Sequence, residues 1–245
     1  AGTQVYLVEQ SRTIGGQMAM FDKTFPTHDC AACILTPNMV DVGQHEMINL
    51  LTLSKVVSVS GKPGAYRVKI KHKARRIDID SCVACGLCVD ACPVKVKSEF
   101  DAGISIRKAI YIPFPQAVPN AYLVDEENCR YVLSEGQKCA VCERKCPKDC
   151  IILDEKDSSS DIEVGNIIIA TGYELLDVSQ IDQYGYGKFP NVLTSLEFER
   201  LTNASGSTGG KIVCKTKQYN RKIKQDEWVF TPEGMPPRNV AIIHC

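Results

Sequence analysis

Short apolar runs separated by polar turns and glycines recur along the chain, and they predict a mixed α/β fold. Residues 5–8, with the sequence VYLV, form a β-prone run that ends at Glu9. An acidic residue there can accept hydrogen bonds from a ribose hydroxyl, and Gly15 and Gly16 would let the backbone approach a pyrophosphate. The pattern is that of the second strand of a dinucleotide-binding fold. Only eight residues precede Glu9, whereas the glycine fingerprint of such a fold should lie about 20 residues upstream.

The next apolar segments predict an antiparallel meander and, further along, a buried strand. Residues 49–61 and 65–79 alternate apolar and polar positions, which is typical of half-buried strands attached to a larger sheet. A polar segment at 154–161 precedes the β-rich run IEVGNIIIATG, which ends at residues 170–172. This ending resembles the strand that returns to the FAD site in two-domain flavoprotein oxidoreductases, where the backbone comes close to the cofactor.

The composition adds few constraints on function. Charged residues make up 24% and hydrophobic residues 44% of the 245 positions, as in ordinary globular proteins. Lysine plus arginine equals aspartate plus glutamate, at 29 each, so net charge gives no argument for nucleic acid or an anionic membrane. The apolar runs are far shorter than the roughly 20 residues of a membrane-spanning helix. We therefore expect no nucleic-acid partner and no direct membrane span.

Thirteen cysteines are the outstanding feature of the sequence. Residues 82–93 read CVACGLCVDACP, the C-x2-C-x2-C-x3-C-P run of bacterial ferredoxins, and a second, wider run begins at Cys129 and ends at Pro147. Two such runs predict two [4Fe–4S] clusters, and the fourth cysteine of each run should bind the cluster of the other run. The predicted ligands are Cys82, Cys85, Cys88 and Cys146 for one cluster, and Cys92, Cys129, Cys139 and Cys142 for the other.

Alternative interpretations remain for some of the cysteines. Structural zinc also favours sets of four cysteines, but it gives no reason for the repeated Cys-Pro. Cys150 falls outside the eight ligands and is predicted to be a spare, buried thiol. Cys30 and Cys33 form one C-x2-C pair, which suits a further cluster, a redox-active thiol pair, or two small buried residues at a helix start.

Four long segments of the chain resemble the A subunits of heterodisulfide reductases. They are GGQMAMFDKTFPTHDCAACILTPNMV at 15–40, RKAIYIPFPQAVP at 107–119, YGYGKFPNVLTSLEFERLTNASGSTGGK at 184–211 and NVAIIHC at 239–245. The resemblance implies an α/β FAD-binding domain, thioredoxin-reductase-like and Rossmann-type, with an inserted α+β ferredoxin-like domain that holds two [4Fe–4S] clusters. We expect the first part of the FAD domain at 1–72, the insert at 73–161 and the second part at 162–245, in a chain cut at both ends relative to the family.

The same resemblance implies a set of functional residues. Contacts with FAD are expected from Glu9, Gly15, Gly16, Lys23, Ala170, Thr171 and Gly172. Glu199 matches a catalytic carboxylate near the reactive edge of the flavin. Periodicity alone makes Glu197 and Glu199 solvated positions on an amphipathic helix. Cys245 matches the first cysteine of an irregular cluster site. Cys30 and Cys33 are the remaining candidate metal ligands.

Members of this family carry FAD and several [4Fe–4S] clusters and act in cytoplasmic complexes. The resemblance implies an oxidoreductase subunit that bifurcates or confurcates electrons at the flavin. Its implied partners are ferredoxin and the B- and C-type subunits of the complex, linked to a hydrogenase or a formate dehydrogenase. Two alternatives stay open. One is a one-way flavin and ferredoxin relay, as in benzoyl-CoA reductase, quinone-interacting or glutamate-synthase-like complexes, and the other is a cluster relay with a vestigial flavin site.

Overall fold

The computed structural model describes residues 2–220 and 224–243, and the chain forms two compact units. The first unit comprises Ala1–Gly16, Cys33–Val96 and Arg107–Gly172, and the second comprises Gln17–Ala32, Lys97–Ile106 and Tyr173–Cys245. The strands are β1 (Val5–Val8), β2 (Ile48–Leu51), β3 (Ser54–Lys62), β4 (Ala65–His72), β5 (Lys95–Lys97), β6 (Ile106–Lys108), β7 (Ile110–Tyr111), β8 (Leu123–Val124), β9 (Ser158–Val164), β10 (Thr216–Asn220) and β11 (Gln225–Val229). The α-helices are α1 (Ala31–Gln44), α2 (Leu87–Ala91), α3 (Arg130–Leu133), α4 (Val141–Lys145) and α5 (Ser195–Thr202). Short 3-10 helices span Gly16–Met20, Val178–Gln180 and Asp182–Tyr184.

The first sheet is a parallel pair of strands. β1 and β2 pair from Val5 opposite Ile48 to Val8 opposite Leu51, and α1 lies between them in the chain. Parallel strands need a long crossover connection, usually a helix, so this is the expected strand–helix–strand order. Within the described residues this sheet contains two strands. It therefore supports the α/β prediction without confirming the wider Rossmann-type sheet.

The second sheet is antiparallel, in the order β3, β4, β9. β9 runs along β4 from Tyr66 opposite Val164 to His72 opposite Ser158. On the central strand β4 the buried and partly buried positions alternate with exposed ones, which is the period of a half-buried sheet. The meander prediction is therefore confirmed for β3 and β4, but it is wrong for residues 49–51, which pair in parallel with β1.

The strand predicted to end at residue 172 ends earlier. β9 stops at Val164, and residues 166–172 are irregular, with Ile168 and Ile169 91% and 83% exposed. The reason lies in the partner strand, because β4 begins only at Ala65 and Gly64 donates its backbone N–H to the carbonyl of Gly165 at 2.9 Å. Beyond this turn β4 offers no further backbone groups for hydrogen bonding. An apolar run needs such groups from a neighbouring strand to continue as a strand itself.

The cysteine-rich part of the first unit has a small apolar core. β7 pairs with β8, with Ile110 opposite Val124, and an isolated bridge joins Ile77 to Ile151. These four side chains are 5% exposed or less and pack with buried thiols from both cysteine runs. Helices α2 and α4, one from each run, pack against each other. Both runs therefore contribute to one core.

The second unit contains the predicted amphipathic helix, α5. It begins with a capping box, in which Thr194 Oγ1 accepts the backbone N–H of Glu197 at 3.1 Å and Glu197 Oε2 accepts that of Thr194 at 2.7 Å. Leu201 packs with Val213 and Phe230 in a small core. No helix in the described ranges has both the length and the apolar character that a membrane crossing requires.

Candidate metal centres

Four thiols from both cysteine runs line one cavity, which we call the first cavity. Its apolar walls include Ile77, Tyr122 and Ile151. The thiols, which we call the first thiol set, are Cys82, Cys85, Cys88 and Cys146. Three of them come from the loop before α2 and from α2 itself, and the fourth follows α4 directly. The chain thus brings together residues that are more than fifty positions apart in sequence.

A second cavity has the complementary arrangement. Its walls include Val94, Ile110 and Val124. The thiols that line it, which we call the second thiol set, are Cys92, Cys129, Cys139 and Cys142. The crossed assignment of the eight cysteines to two clusters is a statement about bound clusters, so it stays a prediction. The grouping of the thiols around the two cavities supports it. Within residues 2–220 and 224–243, no three His, Cys, Asp or Glu side chains converge as a single metal ion would require, so the thiols surround cavities instead of a point.

Local backbone geometry places the thiols in equivalent ways at both sites. α2 begins after Gly86 and α4 after Ala140, and both of these residues are left-handed, with φ of 87° and 65°. Each short helix carries a buried cysteine and ends at the cysteine of a Cys-Pro pair, with extended backbone there. The helical cysteine lines one cavity and the terminal cysteine lines the other. The turn that is repeated in both runs therefore accounts for the grouping of thiols from both runs around each cavity.

The electrostatics of the buried thiols favour a bound cation. Burial raises the pKa of Cys88 to about 12 and the pKa of Cys142 to about 11, and the neighbouring thiols add to this effect. The thiolate is the form that binds metal, so a metal must displace these protons and supply compensating positive charge. An apolar cavity with four thiols suits an iron–sulfur cluster, which is held by four thiolates.

A fifth cysteine lies beside the first thiol set. Cys150 is buried and lines the first cavity, and its Sγ is 3.4 Å from the Sγ of Cys146. Burial and the neighbouring Cys146 raise the pKa of Cys150 to about 12. Partial burial of Cys146 works in the same direction, but the backbone N–H groups of Lys148 and Cys150 and the thiol of Cys150 hold the pKa of Cys146 below its usual value. The ferredoxin spacing gave no functional role for Cys150, and only its place in the cavity indicates one.

The flavin candidates of the first unit lie on exposed or open segments. The carboxylate of Glu9 accepts hydrogen bonds from the backbone N–H of Ser11 at 2.7 Å and from its hydroxyl at 2.8 Å. Gly15, Gly16 and Gly172 all have positive φ, and added Cβ atoms at Gly16 and Gly172 would meet nothing within 4 Å. Ala170 and Thr171 are exposed in the irregular segment that replaces the predicted strand. Open backbone of this kind fits close approach of a phosphate or a ring, and Glu9 is free to exchange its local partner for a ribose.

The candidates of the second unit have structural contacts of their own. Glu199 Oε2 accepts the backbone N–H of Asp22 at 3.0 Å, and Lys23 forms an isolated strand bridge with Cys30. The simple expectation of solvated helix carboxylates is wrong for Glu197, which is 7% exposed and forms the capping box. The sequence signal for this role was Thr-x-x-Glu, the spacing of a capping box.

Cys30 and Cys33, two further candidate ligands, line neither of the two cavities. Cys30 and Cys33 are both disulfide-bonded, and a cysteine in that state has no thiolate to offer to iron. Cys33 is exposed and Cys30 half-buried, so the interpretation as two buried residues is wrong. Ligation of a cluster by this pair stays a prediction for its reduced form. Cys245 lies outside the described residues.

Comparison with known proteins gives one family match and a set of relatives that align with the whole chain. Residues 75–98 match the family described as 4Fe-4S binding domain. The chain is 43% identical over 244 residues to the A subunit of the H(2):CoB-CoM heterodisulfide,ferredoxin reductase of Methanothermobacter thermautotrophicus, and 45% identical over 244 residues to the second iron-sulfur A subunit of the CoB--CoM heterodisulfide reductase of Methanopyrus kandleri. A third relative, the A subunit of the ferredoxin/F(420)H(2)-dependent CoB-CoM heterodisulfide reductase of Methanosarcina acetivorans, is 37% identical over 246 residues.

These alignments cover 100% of this chain and 34%, 34% and 28% of the three relatives. The chain therefore spans about one third of their length. The match to the 4Fe-4S binding family includes Cys82, Cys85, Cys88 and Cys92. The relatives extend the similarity to both thiol sets and to the residues on either side of them.

Proposed function

Because this chain belongs to the family of heterodisulfide reductase A subunits, we propose that it carries electrons within an iron–sulfur flavoprotein subunit of an oxidoreductase. The observation that carries the proposal is the gathering of the two thiol sets around two cavities, four thiols to each, with Cys150 as a fifth thiol at the first cavity. Four of these thiols, Cys82, Cys85, Cys88 and Cys92, lie in the segment that matches a 4Fe-4S binding domain. A protein with two such sites is suited to passing single electrons, since each cluster exchanges one electron at a time.

In this proposal the first and second thiol sets each hold one [4Fe–4S] cluster. The protein's part is to supply thiolates, to exclude water with apolar walls, and to direct backbone N–H groups at sulfur. Tyr122 and Ile77 line the first cavity and Tyr131 and Ile110 the second. The extent of solvent exclusion and the hydrogen bonds to sulfur are the terms by which a protein sets a cluster's reduction potential.

Electron exchange between the two sites is favoured by their shared helices. α2 carries Cys88 of the first set and ends at Cys92 of the second, while α4 carries Cys142 of the second set and ends at Cys146 of the first. Each helix therefore connects the two cavities directly, and the two helices pack together. A pair of sites joined in this way is better suited to a relay than to two independent structural metals.

FAD is the second cofactor of the proposal, and this chain would provide part of its site. Glu9 would accept hydrogen bonds from the ribose, and the open backbone at Gly15, Gly16 and Gly172 would lie against phosphate or flavin. Lys23, Ala170 and Thr171 are proposed as further contacts, and Glu199 as the carboxylate near the reactive edge. When bound, the flavin would exchange electrons two at a time on one side and singly with clusters on the other.

The finer proposal is that the whole protein bifurcates or confurcates electrons at this flavin, in a cytoplasmic complex with B- and C-type subunits and ferredoxin. The alternative is a one-way relay in another oxidoreductase complex. Ferredoxin reduction by the whole, anaerobically purified complex distinguishes them. Bifurcation requires that ferredoxin be reduced only when the high-potential acceptor is also present, whereas equal rates with and without that acceptor would favour the relay.

The metal assignment has its own test, which does not depend on the flavin. Iron and sulfide analysis of the anaerobic holoprotein, combined with electron paramagnetic resonance after reduction, should give two [4Fe–4S] clusters on these eight cysteines. A colourless protein that holds stoichiometric zinc would overturn the proposal.

A further inference from the structure

The first cavity contains a fifth thiol that the ferredoxin spacing does not use. Cys150 is 5% exposed, lines the cavity together with the first thiol set, and has its Sγ 3.4 Å from the Sγ of Cys146. The backbone fixes this position, because the carbonyl of Cys150 accepts the N–H of Asp78 at 2.8 Å and the next residue, Ile151, bridges to Ile77. The thiol is therefore held against its neighbour by the core.

The second cavity differs at the equivalent position. Cys150 stands four residues after Cys146, in the sequence CPKDC, whereas the residue four positions after Cys92, in the sequence CPVKV, is Val96. Among the described residues, the cysteines that line the second cavity are those of the second thiol set alone. The two sites, otherwise built alike, thus differ by one sulfur donor.

We propose that the Cys150 thiol donates an S–H···S hydrogen bond to the Cys146 sulfur and thereby raises the reduction potential of the first cluster. The inference rests on the proposed function, since it takes Cys146 as a cluster ligand. A metal-bound thiolate carries no proton and can only accept, so within this pair Cys150 is the donor. One electron enters the cluster on reduction while the proton stays on Cys150. The hydrogen bond stabilises the reduced state more, because that state places more negative charge on sulfur.

The test compares matched donor and non-donor variants in the anaerobic holoprotein. Cys150→Ala removes the donor, whereas Cys150→Ser replaces the thiol by a hydroxyl that can still donate. A hydrogen bond of ordinary net strength would change the ratio of reduced to oxidised cluster by up to about tenfold, which corresponds to about 59 mV for one electron. We expect the midpoint potential of the first cluster, from a titration followed by paramagnetic resonance, to fall in Cys150→Ala and to be largely retained in Cys150→Ser. Val94→Ala, which shortens an apolar side chain in the wall of the second cavity, controls for lost packing and should leave the second midpoint unchanged.

A second matched pair keeps the test decisive if the small side chains lose the cluster. Cys150→Val and Cys150→Thr have nearly the same shape and differ in the hydroxyl donor, so the higher midpoint should belong to the Thr variant. Equal midpoints within each pair would overturn the proposal. Loss of the first cluster in all four variants would also overturn it, because Cys150 would then be a ligand. Absence of a cluster from the first thiol set of the wild-type holoprotein would instead refute the proposed function.

Discussion

Asp125 is the residue whose removal we expect to damage the second site most without touching a thiol. Its carboxylate accepts hydrogen bonds from Arg107 Nη2 at 2.8 Å, Asn128 Nδ2 at 3.0 Å and the backbone N–H of Glu127 at 3.1 Å. The side chains of Arg107 and Asp125 are 9% and 3% exposed. The carbonyl of Asp125 also accepts the backbone N–H of Cys129 at 2.8 Å. The buried ion pair thus ties β6 to the turn that carries Cys129 of the second thiol set.

Asp125→Ala should destabilise the holoprotein by about 3–5 kcal/mol, because it removes the carboxylate from a buried ion pair with Arg107. Asp125→Asn keeps the shape and one acceptor oxygen, and it should cost about 1.5–3 kcal/mol, the range of a hydrogen bond to a charged group. The double variant Arg107→Met/Asp125→Leu removes both charges and should recover most of the lost stability, since apolar replacement of a buried pair is often neutral.

The assay is the rate at which guanidinium releases the clusters from the anaerobic holoprotein, because unfolding with loss of a cofactor is not a simple equilibrium. A loss of 3–5 kcal/mol accelerates release by up to roughly 10²- to 5 × 10³-fold, if it is expressed mainly in the unfolding rate. Lys188→Met is the control, since it breaks an ion pair with Asp182 whose side chains are 60% and 86% exposed, and it should change the rate by less than about fivefold. Release from Asp125→Ala within fivefold of wild type would refute the argument.

Three further predictions use the same holoprotein. Gly86→Ala should lower stability by about 1–2 kcal/mol and accelerate cluster release, since the left-handed backbone penalises a Cβ, whereas Ala140→Gly should raise stability by about 0.5–1 kcal/mol and slow release. Faster release from Ala140→Gly would show that the two turns are not equivalent. The double variant Cys146→Ala/Cys150→Ala should lose the cluster of the first thiol set, and Cys92→Ala that of the second, as counted by iron analysis; loss of the other cluster in either case would contradict the crossing. Residues 1–245 alone should bind FAD weakly by equilibrium dialysis, because their sequence has no glycine-rich loop ahead of β1 to anchor the pyrophosphate; tight binding would show that the loop matters less.

The thiol sets were predictable because their spacing encodes a local turn. A left-handed residue, a short helix and a terminal Cys-Pro occur in both runs, and this geometry alone sends the helical and terminal cysteines to different cavities. Ala140 hides the equivalence in sequence, because the corresponding position in the first run is Gly86. The wide interval between Cys129 and Cys139 did not disturb the prediction, since the residues between them form α3 and a turn outside the repeated unit.

The less successful predictions depended on distant partners. A strand needs a neighbouring strand, and the run at 166–172 extends past Ala65, where β4 begins. No local sequence pattern reveals where the partner strand begins. The contact of Glu199 with Asp22 joins residues 177 positions apart, so helical periodicity could not indicate it. Cys150 was correctly predicted to be buried, but its distance to Cys146 depends on the bridge between Ile77 and Ile151.

The exchange of thiols between the runs has a consequence for assembly. Each thiol set takes three thiols from one run and one from the other, so neither site can be completed before α2 and α4 pack together. The apolar core that joins them is small, and burial holds Cys88 and Cys142 in their protonated forms when no metal is present, because it raises the pKa of both thiols. Metal binding must therefore supply free energy both for deprotonation and for packing the two runs. The two sites are coupled through the same helices, and the loss of either cluster should loosen the ligands of the other.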